Sequence, residues 1–209
     1  MKISYAITFK DEIQELDSLL SKLHRWLAEV TYDYEIVILQ DTNAEGIVLP
    51  IRGHKVVCRK FDGSFAEHKN FLTSKCHGEF IFQIDADEYP SSILVEEIGN
   101  IIDTNPTVDL YWVPRVNTVT GLTPQHIQEW GWQMSNLENV ELPVVNWPDY
   151  QGRIFRNSRD IYWFGKVHEQ IKGAGIVTKL PAEIIWALFH PKTIERQVKQ
   201  NQMYSQMQR

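Results

Sequence analysis

Between Glu79 and Pro90 the chain runs apolar through Phe80, Ile81, Phe82 and Ile84 and then stops abruptly in Asp85, Asp87 and Glu88. So short a run, rich in aromatic and β-branched residues, reads as a strand buried on both faces of a largely parallel sheet. Pro90 is expected to prevent the strand from continuing. In open α/β sheets ligands gather just beyond the carboxyl ends of the strands, so position alone makes Asp85 and Asp87 candidate site residues. Carboxylates this close repel one another unless positive charge lies between them. Hard oxygen donors suit Mg²⁺ or Mn²⁺, which complete their coordination with water and phosphate oxygens. A solvated acidic turn is the competing reading of the same residues. An EF-hand calcium loop is excluded, because Tyr89 and Pro90 stand where that loop needs another ligand and a glycine.

The stretch before this strand repeats the theme. Ile3 to Phe9 reads as a first strand, and apolar residues at Ile13, Leu16, Leu19, Leu20, Leu23 and Leu27 mark one face of a helix. Tyr34 to Leu39 is a second buried strand ending at Gln40, Asp41, Thr42 and Asn43, and Lys55 to Cys58 a third. Ser64, with Glu67 three residues on, predicts the start of a helix reaching about Cys76. The order β-α-β-β-α-β describes an α/β sheet with right-handed crossovers, and it places Thr8 to Glu12, Asp41 and Asp85 to Glu88 on one rim.

Beyond the acidic tip, Ser91 and Ser92 open a helix through Ile102, and Asp109 to Arg115 reads as one further strand on the same sheet. From Asn117 to Tyr150 periodicity is lost among Trp130, Trp132, Trp147 and three prolines; so long an irregular segment suits a functional insertion, read here as acceptor-side, or tryptophans that plug a core. Gln151–Asn157 and Ile161–Phe164 read as two short strands around a turn. Val167, Glu169 and Ile171 share one side if that segment is extended, which puts Glu169 on the more apolar face. Ile184 to His190 is a last apolar run, and Ile194 to Arg209 a polar helix.

At 209 residues the chain suits one well-buried domain. Its 43% hydrophobic and 23% charged residues exclude long disorder, and a net charge of −6 with no basic run argues against nucleic acid as a partner. Two cysteines, Cys58 and Cys76, offer no metal-site spacing. The amino terminus lacks the features of a signal peptide and no segment approaches the ~20 apolar residues of a transmembrane span. A cytoplasmic location is therefore expected, with peripheral membrane contact left open.

The ordered set formed by the Asp41 turn, the helix start Phe65-Ala66-Glu67-His68-Lys69-Asn70, the run from Gly78 to Glu88 and the later Gly165-Lys166-Val167-His168-Glu169 resembles family-2 inverting glycosyltransferases. The likeness is greatest to the small bacterial branch that includes lipopolysaccharide-core β-glucosyltransferases, and it covers most of the chain outside about 117–150. It implies an α/β fold: a single GT-A (Rossmann-like) domain with a mostly parallel central sheet flanked by helices and an irregular acceptor-side insertion. Residues 1–115 would form the nucleotide-sugar-binding part and 116–209 the acceptor-side and catalytic part. It also implies a nucleoside-diphosphate-sugar donor, a UDP-sugar first, a saccharide or glycolipid acceptor, and Mn²⁺ or Mg²⁺ as cofactor.

Residue by residue, the resemblance makes Asp87 a metal ligand, with His190 completing the metal site, and Asp85 a sugar-nucleotide contact. Asp41 would meet the nucleobase, Lys69 beside Asn70 would neutralise phosphate, and Thr8 would lie at the donor. Glu169 is the implied general base, with His168 its competitor because an imidazole has the better-matched unperturbed pKa. Two further readings stand beside this one. A nucleotidyltransferase would also use strand-end aspartates, but Thr8 to Glu12 is no glycine-rich phosphate loop; a catalytically silent nucleotide- or carbohydrate-binding module would need no base at Glu169.

Overall fold

The computed structural model describes residues 1–42, 51, 53–166 and 168–207; Asn43, Val167 and Arg209, named above, lie outside them. The first half runs β1 (Lys2–Phe9), α1 (Ile13–Leu27), β2 (Asp33–Asp41), β3 (Lys55–Arg59), α2 (Phe65–Thr73), β4 (Phe80–Asp85), β5 (Tyr89–Pro90), α3 (Ser92–Thr104) and β6 (Leu110–Val113). The second runs β7 (Arg115–Thr120), α4 (Pro124–Trp130), β8 (Met134–Ser135), β9 (Val144–Val145), β10 (Gln151–Arg156), β11 (Tyr162–Phe164), β12 (Gln170–Lys172) and β13 (Val177–Lys179). A 3₁₀ turn at Ile184–Trp186, β14 (Leu188–Thr193) and α5 (Ile194–Met207) complete it.

Among the described residues the large sheet has seven strands in the order β13-β6-β10-β4-β1-β2-β3. Neighbours are parallel except β10, which is antiparallel to both β4 and β6. The period-two alternation of each central strand divides the core. Ile3, Tyr5, Ile7, Phe80, Phe82 and Ile84 face α1 and α3, whereas Ala6, Val37, Leu39 and Ile81 face α2 and Trp163. The apolar stripe of α1 is buried as its spacing predicts, except that Ile13 is exposed. Ser64 caps α2, its hydroxyl accepting from the Glu67 amide at 3.2 Å, and Ser91 caps α3 in the same way at Leu94.

The structure corrects several element readings. Asp109–Arg115 is not one strand: Pro114 has no N–H to offer a ladder, and the chain crosses there from β6 of the large sheet to β7 of a second sheet, ordered β5-β14-β7-β9-β8. The acidic strand stops earlier than Pro90, at Asp85, and Tyr89–Pro90 pairs separately as β5 at the edge of that second sheet, ending at the proline. The segment 117–150 is built as the rest of β7, α4 and the β8–β9 pair, with Thr123 capping α4. Gln151–Arg156 and Tyr162–Phe164 do not pair with each other; the first enters the large sheet and the second pairs with β12. The run 184–190 breaks at Ala187 into the 3₁₀ turn and β14. Because β10 and β13 join the large sheet, the halves 1–115 and 116–209 share one core.

Gly78 sets the start of β4 directly against β1. A Cβ there would sit 2.6 Å from both the Ser4 amide nitrogen and its Oγ. Gly78→Ala is therefore expected to destabilise the fold by about 1–3 kcal/mol, read as a lower urea midpoint; an unchanged midpoint would show that the turn before β4 yields freely.

Candidate active site

Parallel pairing of β1 with β2 and β4 brings Thr8 level with Asp85 and Leu39, so the three acidic strand ends do share one rim. The Thr8 hydroxyl donates to Asp85 Oδ1 at 2.7 Å. Lys69 reaches over from α2, its Nζ 3.4 Å from Asp85 Oδ1 and 2.7 Å from Glu169 Oε1. Arg153 closes the other side, Nη2 lying 3.0 Å from Asp85 Oδ2 and 2.6 Å from Glu88 Oε1. The register between β10 and β6 slips between Gly152 and Ile154, and this bulge carries Arg153.

Burial shapes the charges. Lys69, Glu88 and Arg153 are 6%, 1% and 3% exposed. Burial alone would raise the Asp85 carboxyl, but Lys69 and Arg153 hold it well below the usual carboxylate range. Glu169 is likewise pushed up by burial and pulled down further by Lys69, so it stays ionised. Burial would lower the Lys69 ammonium; Asp85 and Glu169 raise it instead.

A second cluster lies where β5 meets β14. Phe189 pairs with Tyr89, which sets His190 beside the acidic tip, and His190 Nε2 stands 3.2 Å from Asp87 Oδ2. Along β14 the buried residues alternate, Leu188, His190 and Lys192. Lys192 donates to Gln200 Oε1 at 2.5 Å, and burial lowers its pKa against the pull of Asp87. From the first turn of α5, Arg196 Nη2 approaches Asp87 Oδ2 at 3.5 Å while its guanidinium also binds Glu12 and Glu15 at 3.1 and 2.8 Å. Burial would raise the Asp87 carboxyl; His190 and Lys192 hold it low.

Of the sequence-predicted site residues, Thr8, Asp85, Lys69 and Glu169 form one hydrogen-bonded group, and Asp87 with His190 forms another. Asp41 stands two strands along the rim, accepting from the Phe61 amide at 2.8 Å and facing Lys10 Nζ at 3.4 Å. Asn70 is not at the rim: its amide both donates to and accepts from the Trp163 backbone, at 2.9 and 2.8 Å, and so fastens α2 to β11. His168 is exposed at φ 55°, a turn that directs the next residue, Glu169, inward to Lys69. Sequence reasoning passed over Arg115, Asn117, Asp149, Arg153, Lys192 and Arg196. Strand alternation in Arg115-Val116-Asn117 and His190-Pro191-Lys192 was the available signal for three of them, Arg115, Asn117 and Lys192.

No protein-family profile and no curated protein matches the chain. Solved structures do. S. aureus TarS aligns over 91% of this chain at 17% identity with a TM-score of 0.55. Residues 1–349 of TarS in complex with UDP-GlcNAc align over 92% at 16% identity and 0.57, and the same fragment in complex with UDP over 91% at 14% and 0.54. The chain has a GT-A-like fold. It spans 37% of the longer TarS chain and 59% and 60% of the two fragments.

Within this GT-A-like fold the donor set at Asp87 and His190 suits a divalent cation in part. One carboxylate and one imidazole face each other at 3.2 Å, but among the described residues no group of three His, Cys, Asp or Glu gathers to hold a metal. Further ligands would have to come from water and phosphate oxygens, the usual habit of Mg²⁺. Glu88 is not available as one, being held by Arg115 and Arg153.

Removing one partner from a buried ion pair typically costs 3–5 kcal/mol. Arg153→Met is expected to lower unfolding stability by about that amount; a loss under about 1 kcal/mol, the scale of an exposed pair, would show that Asp85 and Glu88 need no buried guanidinium.

Proposed function

We propose that the chain is an inverting, metal-dependent glycosyltransferase that moves a sugar from a nucleoside-diphosphate sugar, a UDP-sugar in the first instance, to a hydroxyl of a saccharide acceptor. The observation that supports this most is the separation of two chemistries on one rim: a cation-ready pair at Asp87 and His190, and an ionised, half-buried carboxylate at Glu169. The GT-A-like fold shared with TarS, which has been solved with UDP-GlcNAc, is consistent with it.

Asp87 and His190 would hold the cation. Bound there, it supplies charge compensation for the departing diphosphate. Asp41, at the end of β2, contacts the nucleobase, and Asp85, fixed by Thr8, Lys69 and Arg153, contacts the donor's ribose. Glu169 takes the proton of the acceptor hydroxyl as that oxygen attacks the anomeric carbon from the face opposite the leaving group, which inverts the configuration. Lys69 aims that carboxylate and keeps it ionised. Lys192 and Arg196 add positive charge on the diphosphate side.

The acceptor reading is supported by a groove of about 550 Å³ between α4 and α5, lined by His126, Glu129, Trp130, Asn201, Gln202 and Ser205. Val198 lines it too; the indole of Trp130 offers a face on which a sugar ring can stack, with amide and hydroxyl groups near it. The groove is lined in part by α5, the helix whose first turn carries Arg196 to Asp87. The likeness to lipopolysaccharide-core β-glucosyltransferases points the same way.

Calorimetric titration of UDP and of GDP, with Mn²⁺ and then with chelator, tests the proposal. UDP is expected to bind only with the metal, and Asp87→Ala to abolish that binding. No binding of either nucleotide to folded protein would overturn the proposal in favour of a module without this chemistry. Glu169→Gln is expected to keep donor binding and lower transfer by about 10²–10⁴-fold; near-normal transfer would move the base to His168.

The pH dependence has a defined sign. Glu169 must be ionised to act, and Lys69 lowers its pKa. Lys69→Met removes that pull, so the acid limb of kcat at saturating donor is expected to move to higher pH. A limb that stays put would show that another group governs it.

A further inference from the structure

Asp149 is an acceptor with every near neighbour a donor. Its Oδ2 receives Arg115 Nε at 3.0 Å, Arg115 Nη2 at 2.6 Å and Asn117 Nδ2 at 2.8 Å, while Oδ1 receives Gln151 Nε2 at 2.9 Å. Burial raises its carboxyl, yet Arg115 and Asn117 hold it below the usual range, so it is a carboxylate that can only accept. The group that Asn117 turns towards it must therefore be the amide NH₂. That orientation leaves the Asn117 carbonyl Oδ1 facing His190 Nδ1 at 2.9 Å. A carbonyl oxygen cannot donate, so Nδ1 has to carry the hydrogen.

Strand register builds this relay into the second sheet. In the parallel β7–β14 pair Asn117 stands directly opposite His190, and Arg115 opposite Leu188 on the same face. The Arg115 amide donates to the Asp149 carbonyl at 3.1 Å, which holds the loop carrying Asp149 in place.

We infer that Asn117, oriented by Asp149, is a positioning residue that fixes His190 as the Nδ1–H tautomer and so aims the lone pair of Nε2 at the Asp87 carboxylate. With the ring protonated, Nε2–H donates to Asp87 Oδ2; in the neutral ring Nε2 presents its lone pair to that oxygen at 3.2 Å, with Arg196 Nη2 at 3.5 Å, and a divalent cation would bind in place of the proton. A ligating histidine is commonly set in this way through its other ring nitrogen. The inference deepens the metal-dependent reading above and rests on it for its purpose, but not for the tautomer itself, which is a property of the chain alone.

Two measurements separate the parts. Long-range ¹H–¹⁵N correlation spectra of the metal-free protein, taken at a pH where the ring is neutral, are expected to show His190 protonated at Nδ1. An Nε2–H ring in the wild-type protein would overturn the inference whatever the protein does. Asn117→Leu removes the acceptor, and its His190 is expected to move towards Nε2–H, donating to Asp87. Mn²⁺ affinity in the presence of UDP, read from the electron paramagnetic resonance signal of free Mn²⁺, is expected to fall about 10–100-fold in that variant. Unchanged tautomer and affinity in folded Asn117→Leu would overturn the positioning role. Failure of the wild-type protein to bind Mn²⁺ with UDP would instead sink the transferase reading and leave the tautomer to be decided by the spectra.

Discussion

The guanidinium of Arg153 is sealed between two carboxylates, and the architecture of the rim depends on that contact. Asp85 ends a strand of the large sheet, whereas Glu88 stands one residue before β5 of the second sheet, so a single side chain joins the two sheets at the point where the chain passes between them. Taking such charges out of water costs several kcal/mol each, and the cost is offset only when partners are close and well directed. The chain meets this by alternation. Glu169, Lys69, Asp85, Arg153, Glu88, Arg115 and Asp149 follow one another in sign, each within about 3.5 Å of the next. Asn117 then passes the orientation on to His190 and Asp87. The proposed base and the proposed cation pair thus sit at opposite ends of one connected network, and neither can shift without disturbing buried charge.

How much of this was legible in the residues depends on the range over which each signal acts. The rim was legible because it is local: a buried strand that stops in an aspartate places that aspartate at its carboxyl end, and three such strands in an α/β order share an edge. The caps at Ser64 and Ser91 were legible for the same reason. His190 was legible as a metal-capable residue ending an apolar run, but its place beside Asp87 was named through the family resemblance; its cause is the pairing of β14 with β5 and β7, strands far away in sequence. Nothing in a single sequence encodes which edge a late strand will choose. Arg153 looked like an ordinary strand residue, since the bulge that turns it inward is a mismatch between two strands and belongs to neither alone. Asn70 shows the reach of a motif: the residue is in place, and its amide is engaged with the Trp163 backbone on β11, a contact that the sequence did not signal.

Pro114 shows how one residue redirects a topology. Read by composition, residues 109–115 are a single apolar strand. The ring removes a donor in mid-run, and the two halves find different sheets, with the Pro114 carbonyl accepting from Leu188 as β14 begins. That break is what gives Arg115 and Asn117 a sheet of their own beside the acidic tip. The same substitution of topology for composition explains the segment 117–150. It has no strong periodicity because its pieces are short, yet they give its tryptophans distinct places: Trp130 lines the groove beside α4, and Trp147 packs against the small core of Val116, Val144 and Ala187.

Glu169 carries an internal tension that Lys69 resolves. A carboxylate held below its ordinary pKa is the weaker base, so the ion pair would seem to work against proton transfer. The alternative is worse in this setting. Without Lys69 the half-buried acid would drift upward under desolvation and spend more of its time protonated, and it would lose the contact that aims it. A general base in concerted attack needs its proton affinity only as the hydroxyl becomes acidic, whereas it needs its position throughout. The pair at 2.7 Å favours position and ionisation over ground-state basicity. On the transferase proposal, a donor's diphosphate on the same rim would compete for Lys69 and loosen its hold on Glu169, so that occupancy of the donor site would itself raise the basicity of the carboxylate proposed to take the acceptor's proton.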